Sequence, residues 1–283
     1  MSIFITHRRM ALRQETDAVG YPIDEIGDCV LACSTVQLSS TATYCMRVRR
    51  GGDNEELDIG FSGGVIDEAA LLAHCGGAGG DDYGYVVNWY DQSGNSNDFD
   101  DSGTSTYQPM IVDNGSMLAN VYFSGSAKRM RVPNHSSLQI TAAITICINM
   151  HIVSTGSTNF PLEKASSYMV LKAFDSNPIR STLYIDGSTR TVNIVATPAT
   201  GTLYKCAVTY DSALGERTLR SYLNGVFQTD NALSGLAAWT IASTTNDLRL
   251  NYLTADRAAY YNNIVIFNKK LTADEIMLVQ GIT

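Results

Sequence analysis

Acidic and amide side chains crowd one short stretch, VVNWYDQSGNSND over Val86 to Asp98, with Asp100 and Asp101 just beyond it. Trp89, Asp91, Gln92, Asn95 and Asn97 are the residue types that hold a sugar, an aromatic face to stack on and polar groups to hydrogen-bond its hydroxyls. Asp98, Asp100 and Asp101, with Asn95 and Asn97 nearby, offer hard oxygens to calcium. They lack the spacing of an EF-hand loop. A second reading competes with both. Asp and Asn side chains also close turns on their own backbone, and a tryptophan within VVNWY fits a core strand.

Metal and redox chemistry are poorly served elsewhere. The cysteines are Cys29, Cys33, Cys45, Cys75, Cys147 and Cys206, and no CxxC pair occurs among them. His7, His74, His135 and His151 do not fall at zinc spacings. His74 beside Cys75 is the one close pair, and adjacent residues on a helix point apart. Cys147 and Cys206 sit in apolar strand patterns as small hydrophobes. Beyond the calcium loop, no cofactor is expected.

The elements that must position these residues are mostly strands. Among 283 residues there are 23 Gly against 6 Pro, and 15 Tyr against 8 Phe, a composition suited to many short strands joined by tight turns. Ala143 to Val153 alternates Ile144, Ile146, Ile148, Met150 and Ile152 with Thr145, Cys147, Asn149 and His151. Leu203 to Tyr210, Thr218 to Leu223, Val226 to Thr229, Leu248 to Leu253 and Ala258 to Phe267 read as further strands. Asn224-Gly225 predicts a type I′ hairpin, because both central residues need positive φ. Arg47, Arg49 and Arg50 alternate with Met46 and Val48, as on a strand with a salt-bridged polar face. Asp98 to Gly103 and Thr155 to Asn159 read as surface loops.

Helices are few. Asp67 caps Glu68 to His74, with Ile66 and Leu71 at hydrophobic-staple positions and Gly76 and Gly77 as left-handed stops. Thr272 to Glu275 is a capping box before Ile276, Met277, Leu278 and Val279, closed by Gly281. A further helix is expected over Asp28 to Leu38. The chain thus reads as one mostly β antiparallel sandwich with short helices. Residues 1–20 form an arm, 21–130 an elaborated front half and 131–283 a run of strands closing in a helix.

Net charge of −8 argues against nucleic acid, whose phosphates require clustered cations. No segment approaches the roughly 20 apolar residues that span a bilayer. The start, MSIFITHRRMALRQ, has its basic residues after a short apolar patch, the reverse of a secretory leader. Synthesis and folding in a cytoplasm are therefore expected.

Two strings carry a resemblance over the later half: AVTYDSALGERTLRSYLNGVFQ (Ala207 to Gln228) and AAYYNNIVIFNKKLTADEIMLVQ (Ala258 to Gln280). They are similar to concanavalin A-like, laminin-G-type jelly rolls. The earlier half, with Cys29-Val30, Ser34-Thr35, Arg50-Gly51-Gly52-Asp53-Asn54, Cys75 and YDQSGNSND, resembles the front of the arabinofuranosidase B catalytic domain. That front joined to a laminin-G-like half is also similar to modules of tailed-phage virion proteins.

The arabinofuranosidase resemblance implies a glycoside hydrolase working with two carboxyl groups. Glu163, Asp91 and Asp256 are the candidates. Tyr168 to Leu171 lacks the expected preceding Glu, and the loop LTADR offers Asp256 without glycines. A vicinal cysteine pair is absent, and Gly80 stands where a second cysteine belongs. The phage resemblance implies a non-enzymatic virion protein, a capsid decoration or tail-associated subunit, with other virion proteins, its own copies or a host glycan as partners. On that reading residues 1–20 are a docking arm. A lectin-like module is the third alternative.

Overall fold

The computed structural model describes residues 20–124, 128–153, 159–172, 178–213, 216–236, 238–252 and 258–281. The arm at 1–19, most of the tip at 155–159, and Asp256 lie outside them.

In chain order the helix α1 is Pro22–Ile26, followed by β1 (Cys29–Ser34), β2 (Tyr44–Arg50), β3 (Glu56–Ser62) and β4 (Val65–Ile66). Then come α2 (Glu68–Cys75), β5 (Gly84–Trp89), β6 (Phe99–Asp100), β7 (Met110–Asp113), β8 (Ser116–Phe123) and β9 (Met130–Val132). The later half supplies β10 (Ala143–Ile152), β11 (Asn159–Lys164), β12 (Tyr168–Lys172), β13 (Ile179–Ile185) and β14 (Ser188–Val195). It ends with β15 (Leu203–Asp211), β16 (Thr218–Leu223), β17 (Val226–Ala232), β18 (Leu248–Tyr252), β19 (Ala259–Phe267) and α3 (Ala273–Val279).

All strand pairings are antiparallel, and they form two layers. The front sheet runs β3-β2-β5-β7-β8-β19-β10-β15-β16-β17. The back sheet runs β6-β9-β18-β11-β12-β13-β14. They join at β5, where Gly84 and Tyr85 pair with β7 while Asn88 and Trp89 pair with β6. The opposite seam is closed by side chains. Ser221 Oγ donates to Asn193 O at 2.6 Å, and Asn231 Nδ2 to Thr191 O at 3.1 Å. Val48, Trp89, Phe123, Ile146, Tyr168 and Leu250 are among the side chains filling the interior.

A second, smaller core lies on the outer face of the front sheet. Ala32, Cys147, Ala207, Val265 and Phe267 meet Ile23 of α1 and Ile276 and Val279 of α3 there. This second core corrects the helix expected over Asp28 to Leu38. Cys29–Ser34 is a strand paired with β19, and its apolar run is continuous because both faces are covered. The capping box at Thr272 and Glu275 is present, and Asn224 and Gly225 have φ of 50° and 75°. Asp67 caps α2, but Gly76 has φ −89° and Gly77 has no positive φ, so the left-handed stop is absent and α2 ends on Gly76 without it. Asp98 to Gly103 is not wholly a loop, since Phe99 and Asp100 form β6 and Phe99 is fully buried.

Candidate functional site

The chain leaves β5 at Trp89 and folds the 91–98 string against β1. Paired with β19 on one edge only, β1 would leave backbone groups of Val30, Ala32 and Ser34 bare on the other. Side chains fill that role. Asp91 Oδ1 accepts Ala32 N at 2.7 Å and Ser93 N at 2.9 Å; its Oδ2 accepts Ser93 Oγ at 2.7 Å and Asn97 N at 3.0 Å. Gln92 N donates to Ala32 O at 2.8 Å. Its side chain is buried, accepting Leu38 N at 2.6 Å and donating to Ser34 O and Val36 O at 3.1 and 3.0 Å. Asn95 Nδ2 donates to Cys29 O at 3.0 Å, and Asn97 Nδ2 to Val30 O at 2.6 Å. The motif is a side-chain substitute for a neighbouring strand.

This geometry sorts the sequence candidates. Trp89 is fully buried and presents no face to solvent, so it packs in the core. Asp91, Gln92, Asn95 and Asn97 each bond the backbone of β1 or its continuation, and Asp91 and Asn95 also close the turn on Ser93 and Asn97. Asp100 lies 3.5 Å from Arg131, while Asp101 is buried and accepts Gly103 N at 2.8 Å and Gln108 Nε2 at 2.7 Å. The calcium candidates thus turn to separate partners. Among the described residues no three His, Cys, Asp or Glu side chains converge on a metal position. Glu163 sits in β11 of the back sheet, half-buried opposite Arg249. Burial raises its pKa and Arg249 pulls the other way. Asp91 and Glu163 therefore belong to different layers.

One group in the motif keeps some freedom. Asp98 is half-buried, and Asp91 N donates to its Oδ1 at 2.8 Å. Burial, with the charges of Asp91 and Asp100 added, raises its pKa. It borders a cavity of about 210 Å³ lined by Thr41, Thr43, Tyr44, Tyr90, Ser96 and Asp98, among others. The rings of Tyr44 and Tyr90 stand 6.1 Å apart, tilted by 49°, and Tyr44 is 48% exposed. Tyr90 is fixed from behind, its hydroxyl donating to Asp58 Oδ1 at 2.6 Å. Arg47 grips the same carboxylate with bonds of 2.7 and 2.8 Å.

The two tyrosines and the threonines are the residues that sequence reasoning missed. Simple alternation places Tyr44 on the same face as Met46, hence inward. A register break between Tyr44 and Met46 buries Cys45 and Met46 together and turns Tyr44 out.

Two antiparallel sheets around one interior, with short helices at the margin, define a β-sandwich of the jelly-roll kind. Residues 124–277 match the concanavalin A-like lectin/glucanases superfamily, more than half of the chain, and the chain belongs to that family. Among solved structures it is similar to a GH54 α-L-arabinofuranosidase with a cyclic sulfate inhibitor, at TM-score 0.66 and 14% identity. A GH54 enzyme with 4-nitrophenyl α-L-arabinofuranoside gives 0.66 and 15%, and an arabinofuranosidase with arabinofuranosyl-α-1,2-xylobiose gives 0.65 and 15%. Each match covers 93% of this chain and 64% of the other. At such identity the likeness is one of fold. No curated protein matches the sequence.

Proposed function

We propose that this chain is a non-hydrolytic, carbohydrate-binding assembly module of a tailed-phage virion, in a capsid decoration or tail-associated subunit. The observation that carries the binding part is the cavity between Tyr44 and Tyr90. It offers tilted aromatic faces and threonine and serine hydroxyls, with one carboxyl, Asp98, left to receive a sugar hydroxyl. Hydrolysis asks for a second carboxyl across the bond. The neighbouring Asp91 accepts four hydrogen bonds from the protein itself. The virion setting is supported by the front motif being joined to a laminin-G-like half, the combination that resembles phage modules. The arm at residues 1–20 is its docking element.

A second reading, an α-L-arabinofuranosidase-like hydrolase, is favoured by the fold likeness along 93% of the chain. A chromogenic α-L-arabinofuranoside separates the two, with and without calcium to test Asp98, Asp100 and Asp101. The binding reading expects no product from folded protein and a pentose or hexose oligosaccharide held in the micromolar to millimolar range. Tyr44→Ala should weaken that binding about tenfold, the loss of one stacked ring. Product release would transfer the assignment to the hydrolase. Absence of the chain from purified particles by mass spectrometry would remove the virion setting.

A further inference from the structure

Seven side chains line up across the outer face of the front sheet, Leu203 exposed and the other six half-buried, each the cross-strand partner of the next. Leu203 pairs with His151, His151 with Tyr260, Tyr260 with Tyr122, Tyr122 with Met110, Met110 with Tyr85, and Tyr85 with Arg49. Their sequence neighbours Met150, Ala259, Tyr261, Val121, Phe123, Ile111, Val86 and Val48 are buried in the interior, which fixes the row as outward-facing. At roughly 4.8 Å per strand, six intervals carry it about 29 Å.

The row is aromatic at its centre and cationic at one end. Tyr260 is stacked between Tyr122, at 4.4 Å, and His151, at 5.5 Å. The rings therefore stand on the sheet with their edges and polar tips outward. Among the described residues no hydrogen-bond partner meets the hydroxyls of Tyr85, Tyr122 or Tyr260. Tyr85 lies under Arg49 at 4.6 Å and Lys128 at 5.8 Å. Arg49 is held by amide oxygens, Gln108 Oε1 at 2.7 Å and Asn54 Oδ1 at 2.6 Å, rather than by a carboxylate. Glu56, opposite Arg49 in register, reaches Arg47 instead. Asp81 and Asp113 act on Tyr85 from longer range, and neither pairs with Arg49 or Lys128 among the described residues. Two cations thus crowd one ring without a counter-ion among the described residues, on a chain whose net charge is −8.

We propose that this row is a binding surface for an acidic polysaccharide lying across the strands. Carboxylates on the polymer would meet Arg49 and Lys128, and ring edges and phenol hydroxyls would meet its oxygens. The inference rests on the carbohydrate-binding reading but uses a surface distinct from the Tyr44–Tyr90 cavity.

The test is titration of the full chain with an oligogalacturonate and with its methyl ester, which removes the charge and keeps the sugars. The free acid should bind at least tenfold tighter than the ester. The double variant R49Q/K128Q should lose about tenfold for the acid, consistent with losing charge-assisted contacts, and Lys128→Gln alone should lose part of that. Arg131→Gln, which removes an ion-paired cation from the back sheet, should leave acid binding unchanged. No binding of the acid, equal binding of acid and ester, or an unaffected double variant would overturn the row. The cavity reading is judged separately, by Tyr44→Ala against a neutral oligosaccharide.

Discussion

On the outer face of the back sheet, Asp100, Arg131, Arg249 and Glu163 follow one another across β6, β9, β18 and β11. Arg131 lies 3.5 Å from Asp100 and 2.9 Å from Asp247, and Arg249 faces Glu163. On the outer face of the front sheet the row from Leu203 to Arg49 has stacked rings, hydroxyls with no partner among the described residues, and a cation, Arg49, held by neutral amides. The back row spends its charges on itself and the front row does not. A surface with its polar groups already matched has little to gain from a ligand, whereas an unmatched one gains whenever a ligand supplies the missing partner.

The same distinction holds inside the molecule, where Asp91, Gln92, Asn95 and Asn97 are committed to closing the turn and holding β1, while Asp98 is not. If it is sound, the most self-satisfied groups should matter most for stability and least for binding. Gln92→Ala should therefore have the largest effect. It removes a partner from two buried backbone groups, Leu38 N and Ser34 O, and from the part-buried Val36 O, and should cost about 2 kcal/mol by urea denaturation, at roughly 1 kcal/mol per buried group. A loss under 1 kcal/mol would break the comparison at its firmest point.

Arg131→Ala should cost about 1 kcal/mol, falling as salt is raised, because its partners are part-exposed. Asp98→Asn sharpens the picture in another way. The folded chain holds the Asp98 proton more tightly than the unfolded chain does, so stability is lost as pH rises through its folded pKa. The variant should raise the thermal midpoint at pH 7 and bring no gain at pH 3. Smallest of all, Lys128→Gln should stay within about 0.5 kcal/mol of the parent in stability. Its effect belongs to binding.

How far these regions could be read from the sequence depended on how local their signals are. Asn224-Gly225, the Thr272 capping box and the alternation of Ala143 to Val153 are short-range signals, and the structure carries each of them. The run Cys29 to Ser34 misled because a strand covered on both faces loses its period of two, and short apolar runs are ambiguous between helix and strand. The string from Asp91 to Asn97 was visible as unusual and as turn-forming. Its purpose was hidden because the edge it completes lies about sixty residues earlier in the chain. The front row was invisible altogether, being one residue from each of seven strands.

The pinned edge of β1 also sets which amides exchange slowly with solvent. Ala32 N is held by a carboxylate and Leu38 N by a side-chain amide, not by a neighbouring strand. Their deuterium uptake should then follow the opening of the turn at 91–98 rather than the unzipping of a sheet. Two backbone protons, one on β1 and one on the segment that follows it, would report the motion of the turn.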